Sequence, residues 1–548
     1  MYKKKYTSLL VACALFAQLL PAQVNLNFPL IDMGAASSHR YFNLYKARSI
    51  ARASSGQPVN VPIWSQIDCD CNATIPMLSN TTGSGGRWDV FEDVARRSQS
   101  SLLSQVESDV RISNQMLYAI EYPFVMSLLY TNNLVDPMDV YKCFTGVTMN
   151  REARTNLNIE YMPSVLIEHI DYLRAELDYP LNKDGKKYEC HILERNDNID
   201  SLLKNTQKIL WTLSIKGGHI LSTGTFLYQG QTDMPDFKNI VFDNIERLKG
   251  LKPIYRPSGQ PITLTAPIFS ISFDGYFADG LCGKAAKFLP VEKDAFAAQD
   301  LSSGVSPVGQ EAIVRLLSKE NGQQRILIDI AGMNIKSRDW YYTYIKERRY
   351  LKDSIPIMAM GVGVNGLKSG DKEYGYEDEV MKENPQSLLN NRHANLNRED
   401  IIQIIQSHGL VGISLERTKI MGAMFWARYK ATVPGSADRR RVAVQAIAAN
   451  ICKFIQVAQT REAWDMICIA SQFDLYGRFL EPYQSTEDLP QLAKDLYQFF
   501  SNPVAIDGVF TEREIKQFMY GLKAEDIVER IMYRNAYRFI LKHYPHRK

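Results

Sequence analysis

The residues of this 548-residue chain that could do chemistry gather at the ends of short apolar runs. The stretch Ile209–His219, ILWTLSIKGGH, is the clearest case. A run rich in Ile, Leu and Trp enters a tight glycine turn, and Lys216 stands at its last position. Other run ends offer carboxylates: Asp32 in IDMGAASSH, Asp274 in ISFDGYFADGLCGKA, Asp329 in IDIAGMN and Asp474 in IASQFDLYG. A lysine set among carboxylates is either a salt-bridged strut or a cation that binds a ligand, and left unpaired it carries a large desolvation cost. Asp32 and Asp474 are its first expected partners. Metal chemistry would need His39, His191 and His219 to be brought together, although scattered histidines are more often structural.

Eight apolar runs must position these groups: Phe28–Met33, Gln115–Tyr122, Ile209–Ile215, Ile262–Ser272, Arg325–Ile330, Ile355–Met360, Gly409–Leu415 and Met466–Ala470. Amphipathic stretches lie between them, at Ser98–Val110, Ser164–Leu177, Arg398–Ser407, Ala443–Thr460 and Leu489–Phe500. Strands apolar on both faces, alternating with helices, predict a parallel sheet closed as a (β/α)8 TIM barrel. In such a barrel the chemistry sits at the C-terminal ends of the strands, where these residues fall. An inserted subregion is expected around residues 60–110, with polar, glycine-rich insertions at Ser79–Arg87 and Gly361–Asn395 and a further candidate insertion at Tyr228–Pro261. The chain should end in helices from Thr511, with Thr511 as N-cap and Glu514 in the capping-box position.

The strand-end series, read in order, resembles the membrane (renal) dipeptidase family of the amidohydrolase superfamily, in a secreted Bacteroidetes-type branch. It includes IMAMGVGVNG at 357–366 and VGISLER at 411–417. The resemblance runs over most of the chain, to a closing EDIVERIMYRNAYRFI. It implies a metal-dependent hydrolase barrel with a binuclear zinc site that cleaves dipeptides. Yet the positions matching metal ligands or the catalytic acid hold Gly34, Ala36, Lys216, Gly332, Gly361 and Gln472. Framework residues remain: Asp32, Gly217-Gly218-His219, Asp329, Asn365-Gly366 and Phe473-Asp474. Glycine and alanine offer no ligand atom, and an ammonium in the bridging position opposes a dication. Scaffold kept and ligands lost implies a pseudoenzyme with no catalytic residue, metal or cofactor. Asp32, Lys216, His219, Asp274 and Asp474 would line the old pocket, and Met33, Met360 and Gln472 could fill it.

Bulk properties bound the partners. The formal charge of +4 falls to about +1 without Lys3, Lys4 and Lys5, so no nucleic-acid partner is implied. MYKKKYTS, then LLVACALFAQLL and PAQ, reads as a signal peptide over 1–22, with residues 23–548 as the exported barrel. A lipid anchor at Cys13 is the alternative, and no transmembrane segment is read. Seven further cysteines, among them Cys69 and Cys71, allow one disulfide but lack zinc-ribbon spacing. These features predict a catalytically inactive, dipeptidase-like protein of the periplasm or cell surface, associated with the outer membrane. It would act by binding, with an envelope protein partner expected ahead of a free small molecule and a peptide-like ligand allowed. The alternative is an active zinc-dependent dipeptidase or amidohydrolase with an altered metal site.

Overall fold

The apolar runs form strands buried on both faces. The computed structural model describes residues 28–37, 99–118, 170, 181–222, 235–255, 260–262, 264–275, 278–285, 302–319, 324–367, 387–475 and 479–545. Eight parallel strands follow one another in sheet order and chain order: β1 (Leu30–Ala35), β2 (Val110–Tyr118), β3 (Lys208–Lys216), β4 (Ile268–Ser272), β5 (Leu327–Asp329), β6 (Met358–Val362), β7 (Leu410–Ile413) and β8 (Ile467–Ile469). The sheet is a nearly closed (β/α)8 barrel. Beyond β8 the backbone returns to β1, where Gln472 N donates to Gly34 O at 2.8 Å and Ala36 N to Phe473 O at 3.0 Å.

All eight expected strands are present, with shifted ends. The second starts at Val110 instead of Gln115, so the last residue of the expected 60–110 subregion opens β2. The fourth starts at Ile268. Ile262 instead joins a two-stranded ribbon, Ile254–Tyr255 with Pro261–Ile262. The candidate insertion Tyr228–Pro261 contains helix α1 (Pro235–Leu248). Ser79–Arg87, Cys69 and Cys71 lie outside the described residues, as do His39 and the expected leader. A strand absent from the eight, Lys186–Ile192, pairs with the first half of β3 in parallel.

Helix α2 (Ile335–Tyr350) follows β5, and α3 (Arg398–Ser407) occupies the range the sequence predicts for it. They are tied by the buried Arg338–Asp400 pair at 2.6 Å, with Tyr342 Oη donating to Asp400 at 2.7 Å. Tyr341 and Tyr342 are buried beside this pair, and Trp340 packs partly buried against the core. Helix α4 (Ala437–Ala458) covers β7, and α5 (Leu489–Ser501) packs on α4. Near the C-terminus, Thr511 caps Glu512–Phe518 and Glu514 closes the box. Asn535 then donates to the carbonyls of Trp464 and Ile467 at 2.7 and 2.8 Å, docking the final helix under β8. Among the described residues, no helix is long and apolar enough to cross a membrane.

Candidate functional site at the barrel mouth

Period-two alternation aims Lys216. On β3, Trp211 faces outward and donates to Gln105 of the covering helix Leu102–Glu107. Thr212, Ser214 and Lys216 therefore share the inner face. Thr212 and Ser214 both donate to Asn114 of β2, at 2.9 and 2.8 Å, and Ser214 also meets Ser270 of β4 at 2.9 Å. Two steps beyond this polar layer come Lys216 and, on the β4 side, Asp274. They form a buried ion pair, Nζ to Oδ2. Gly217 (φ +103°) then turns the chain, donating to Ser272 O at 2.8 Å.

The expected partners of Lys216 were Asp32 and Asp474, and the structure corrects both. Asp32 accepts from Gly34 N at 3.1 Å, from Ser471 N at 2.9 Å and from Ser471 Oγ. It fastens β1 to the end of β8, and burial raises its pKa against those hydrogen bonds. Asp474 accepts from Gln99 N and Ser100 N, both at 2.9 Å, and from Ser100 Oγ at 2.6 Å. It pins the returning chain to the segment before β2. Both carboxylates thus brace the wall, while Asp274 lies two residues past the end of β4, the strand next to Lys216.

Asp329, at the end of β5, accepts from Ala331 N and Met360 N, each at 3.0 Å. Burial lifts its pKa to about 7; the two backbone donors and Lys216 pull the other way, and Asp274 adds to the rise. A raised folded-state pKa makes this carboxyl's contribution complete below pH 3.8. It is lost as pH climbs through about 7. Asp329→Asn keeps the acceptor and abolishes the ionisation. Relative to the wild type, the variant should gain about 2–3 kcal/mol between pH 5 and pH 7. Urea unfolding of both proteins at several pH values measures this; parallel curves would remove Asp329 as the cause.

Lys419 was not singled out from the sequence. It lies on the short helix Arg417–Ile420 just past β7, donating to Gly361 O at 2.9 Å and to Gln472 Oε1 at 2.6 Å. Burial lowers its pKa; Glu416 and Asp274 oppose that shift, and Lys216 adds to it. The available signal was a lysine a few residues past a barrel-strand end, in LERTK.

The glycines that the sequence resemblance sets at metal-ligand positions are closed by their neighbours. A Cβ on Gly332 (φ +80°) would stand 2.1 Å from Asp274 Oδ1. One on Gly361 (φ +68°) would stand 2.2 Å from Gln472 Cδ, and one on Gly34 3.0 Å from Ala470 Cβ. Ala36, Met33 and Met360 are buried in the core. His219 lies in the turn after β3, edge-on to Tyr118 at 5.7 Å. His191 is far from it, beside the first half of β3, bonded to Asp197 at 2.6 Å. Among the described residues, no three His, Cys, Asp or Glu side chains come together as a metal cage. The donor set of a binuclear zinc site does not fit these positions, because one ammonium, three glycines, an alanine and a glutamine stand there.

No family model matches the chain, and no curated protein matches it. It is similar to solved structures described as the dipeptidase AC, a family M19 metallopeptidase, and as a Rhodobacter sphaeroides metallopeptidase with a phosphinate mimic of L-Ala-D-Ala. Identities are 11% and 10%, and the TM-score is 0.46 for each, over 94% of this chain and 99% of theirs. It is also similar to the probable dipeptidase PvdM of Pseudomonas aeruginosa, at 12% identity and TM-score 0.37, over 79% of this chain and 90% of that one. These are likenesses of fold alone.

Proposed function

We propose that this chain is a catalytically inactive, dipeptidase-like barrel that works by binding. The observation that carries the reading is what stands at the positions the resemblance matches to metal ligands. Lys216 pairs with Asp274 beside Gly332, and Gln472 occupies the space over Gly361. A divalent ion ~4 Å from one ammonium meets several kcal/mol of repulsion at an effective dielectric near 20. The proposed setting is the cell envelope, in the periplasm or at the outer-membrane surface, with a lipid anchor on Cys13 as the alternative to cleavage after Ala22. An envelope protein is the proposed partner, ahead of a free small molecule.

Elemental analysis of the purified protein, with a dipeptidase assay in added zinc, tests the inactivity. The expected result is no stoichiometric zinc and no turnover above background. About two zinc ions per chain, with chelator-sensitive hydrolysis, would establish the active-hydrolase alternative instead.

A further inference from the structure

Gln472 and Lys419 together leave hydrogen-bond donors over. Because the ammonium of Lys419 donates to one end of the Gln472 amide at 2.6 Å, that end is the oxygen. A turned amide would set NH2 against NH3+. The other end, Nε2, is buried and has no acceptor among the described residues. Gln472 as a whole is 3% exposed. Two N–H groups of Lys419 are used, by Gly361 O and Gln472 Oε1. Among the described residues, the nearest carboxylate for the third is Glu416 at 3.8 Å, beyond hydrogen-bond length. A buried donor without an acceptor, such as Gln472 Nε2, is rare enough to need a cause.

We propose that the mouth binds a carboxylate-bearing ligand, whose oxygens accept from Gln472 Nε2 and from the remaining N–H of Lys419. This rests on reading the barrel as a binding protein. A carboxylate supplies two acceptors on one small group, matching donors on two touching side chains. Its single charge suits the surroundings. Lys216 is matched by Asp274, so the charge left to attract it is that of Lys419, and Asp329 and Glu416 oppose the second negative charge that a phosphate dianion carries. The side chain of Lys419 keeps 24% of its surface, which gives the ligand a way in.

The test is the thermal midpoint of the full chain in sodium acetate, glycylglycine and sodium phosphate, at ionic strength matched with chloride. Acetate and glycylglycine should raise the wild-type midpoint by about 2 °C at a hundredfold excess over Kd, and phosphate by less. Gln472→Glu, which gives Lys419 an internal carboxylate, and Lys419→Met should both lose the shift. Calorimetric titration of the wild type with glycylglycine and with glycylglycinamide needs no variant, and only the carboxylate form should bind. No shift with either carboxylate would mean that a water fills the gap and would overturn the proposal. So would an equal shift in Gln472→Glu, or equal binding of the amide. Bound zinc with turnover would overturn the inactive-barrel reading; a lost carboxylate effect without zinc overturns this inference alone.

Discussion

Lys216→Met should lower the free energy of unfolding by about 3–5 kcal/mol, because it removes one half of a buried ion pair. The two side chains are 9% and 4% exposed, so water screens the pair little. In the variant the Asp274 carboxylate stays buried beside Asp329 with the facing ammonium gone. The double variant Lys216→Met/Asp274→Leu should recover most of the loss, since a well-packed apolar pair often replaces a buried ion pair at little cost. Urea unfolding of the four proteins of the cycle gives the coupling energy directly. An unchanged midpoint in Lys216→Met would show that the pair holds nothing together.

The second large effect is expected where side chains are missing. Gly332→Ala should cost about 2–5 kcal/mol. A left-handed backbone costs an alanine about 1–2 kcal/mol, and overpacking a full site adds about 1–3. The new methyl would meet not only the Asp274 carboxylate but Asp274 Cα at 2.7 Å, and a backbone atom cannot swing away. Gly361→Ala should cost less, because what it meets is the Gln472 side chain, whose Cδ lies at 2.2 Å. Combining Gly361→Ala with Gln472→Ala should remove the steric part and leave the backbone part. Thermal and urea midpoints check the ordering. Equal costs at Gly332 and Gly361 would mean that the backbone angle alone decides both.

Much of the barrel was legible in the chain. Strands buried on both faces read as continuous apolar runs, and eight of them separated by helical stretches leave few other architectures. Strand ends were less legible. Val110–Asn114, VRISN, mixes Arg, Ser and Asn into a buried strand, because Asn114 serves the polar layer inside the barrel and Arg111 reaches the carbonyls of Lys208 and Asn205. Periodicity cannot see such partners, so β2 was expected five residues late. Gly332 and Gly361 were legible as absences of ligand atoms. Their positive φ angles, and the side chains that close over them, were not.

The sequence by itself marked Lys216, Asp274 and Asp329 as groups at the mouth, since each stands at or just past the end of an apolar run; Lys419 was not among them. Alternation along β3 also dictated that Lys216 share a face with Thr212 and Ser214. Only the tertiary structure decided who pairs with whom. Asp32 and Asp474 are spent on the chain's return from β8 to β1 and to residues 99–100, contacts hundreds of residues apart in sequence. Asp274 reaches Lys216 because β3 and β4 are sheet neighbours in register, Lys216 opposite Ser272. Lys419 enters the site from a helix after β7 and meets Gln472 after β8 for the same reason. Register places side chains across strands, and register is a property of the closed sheet.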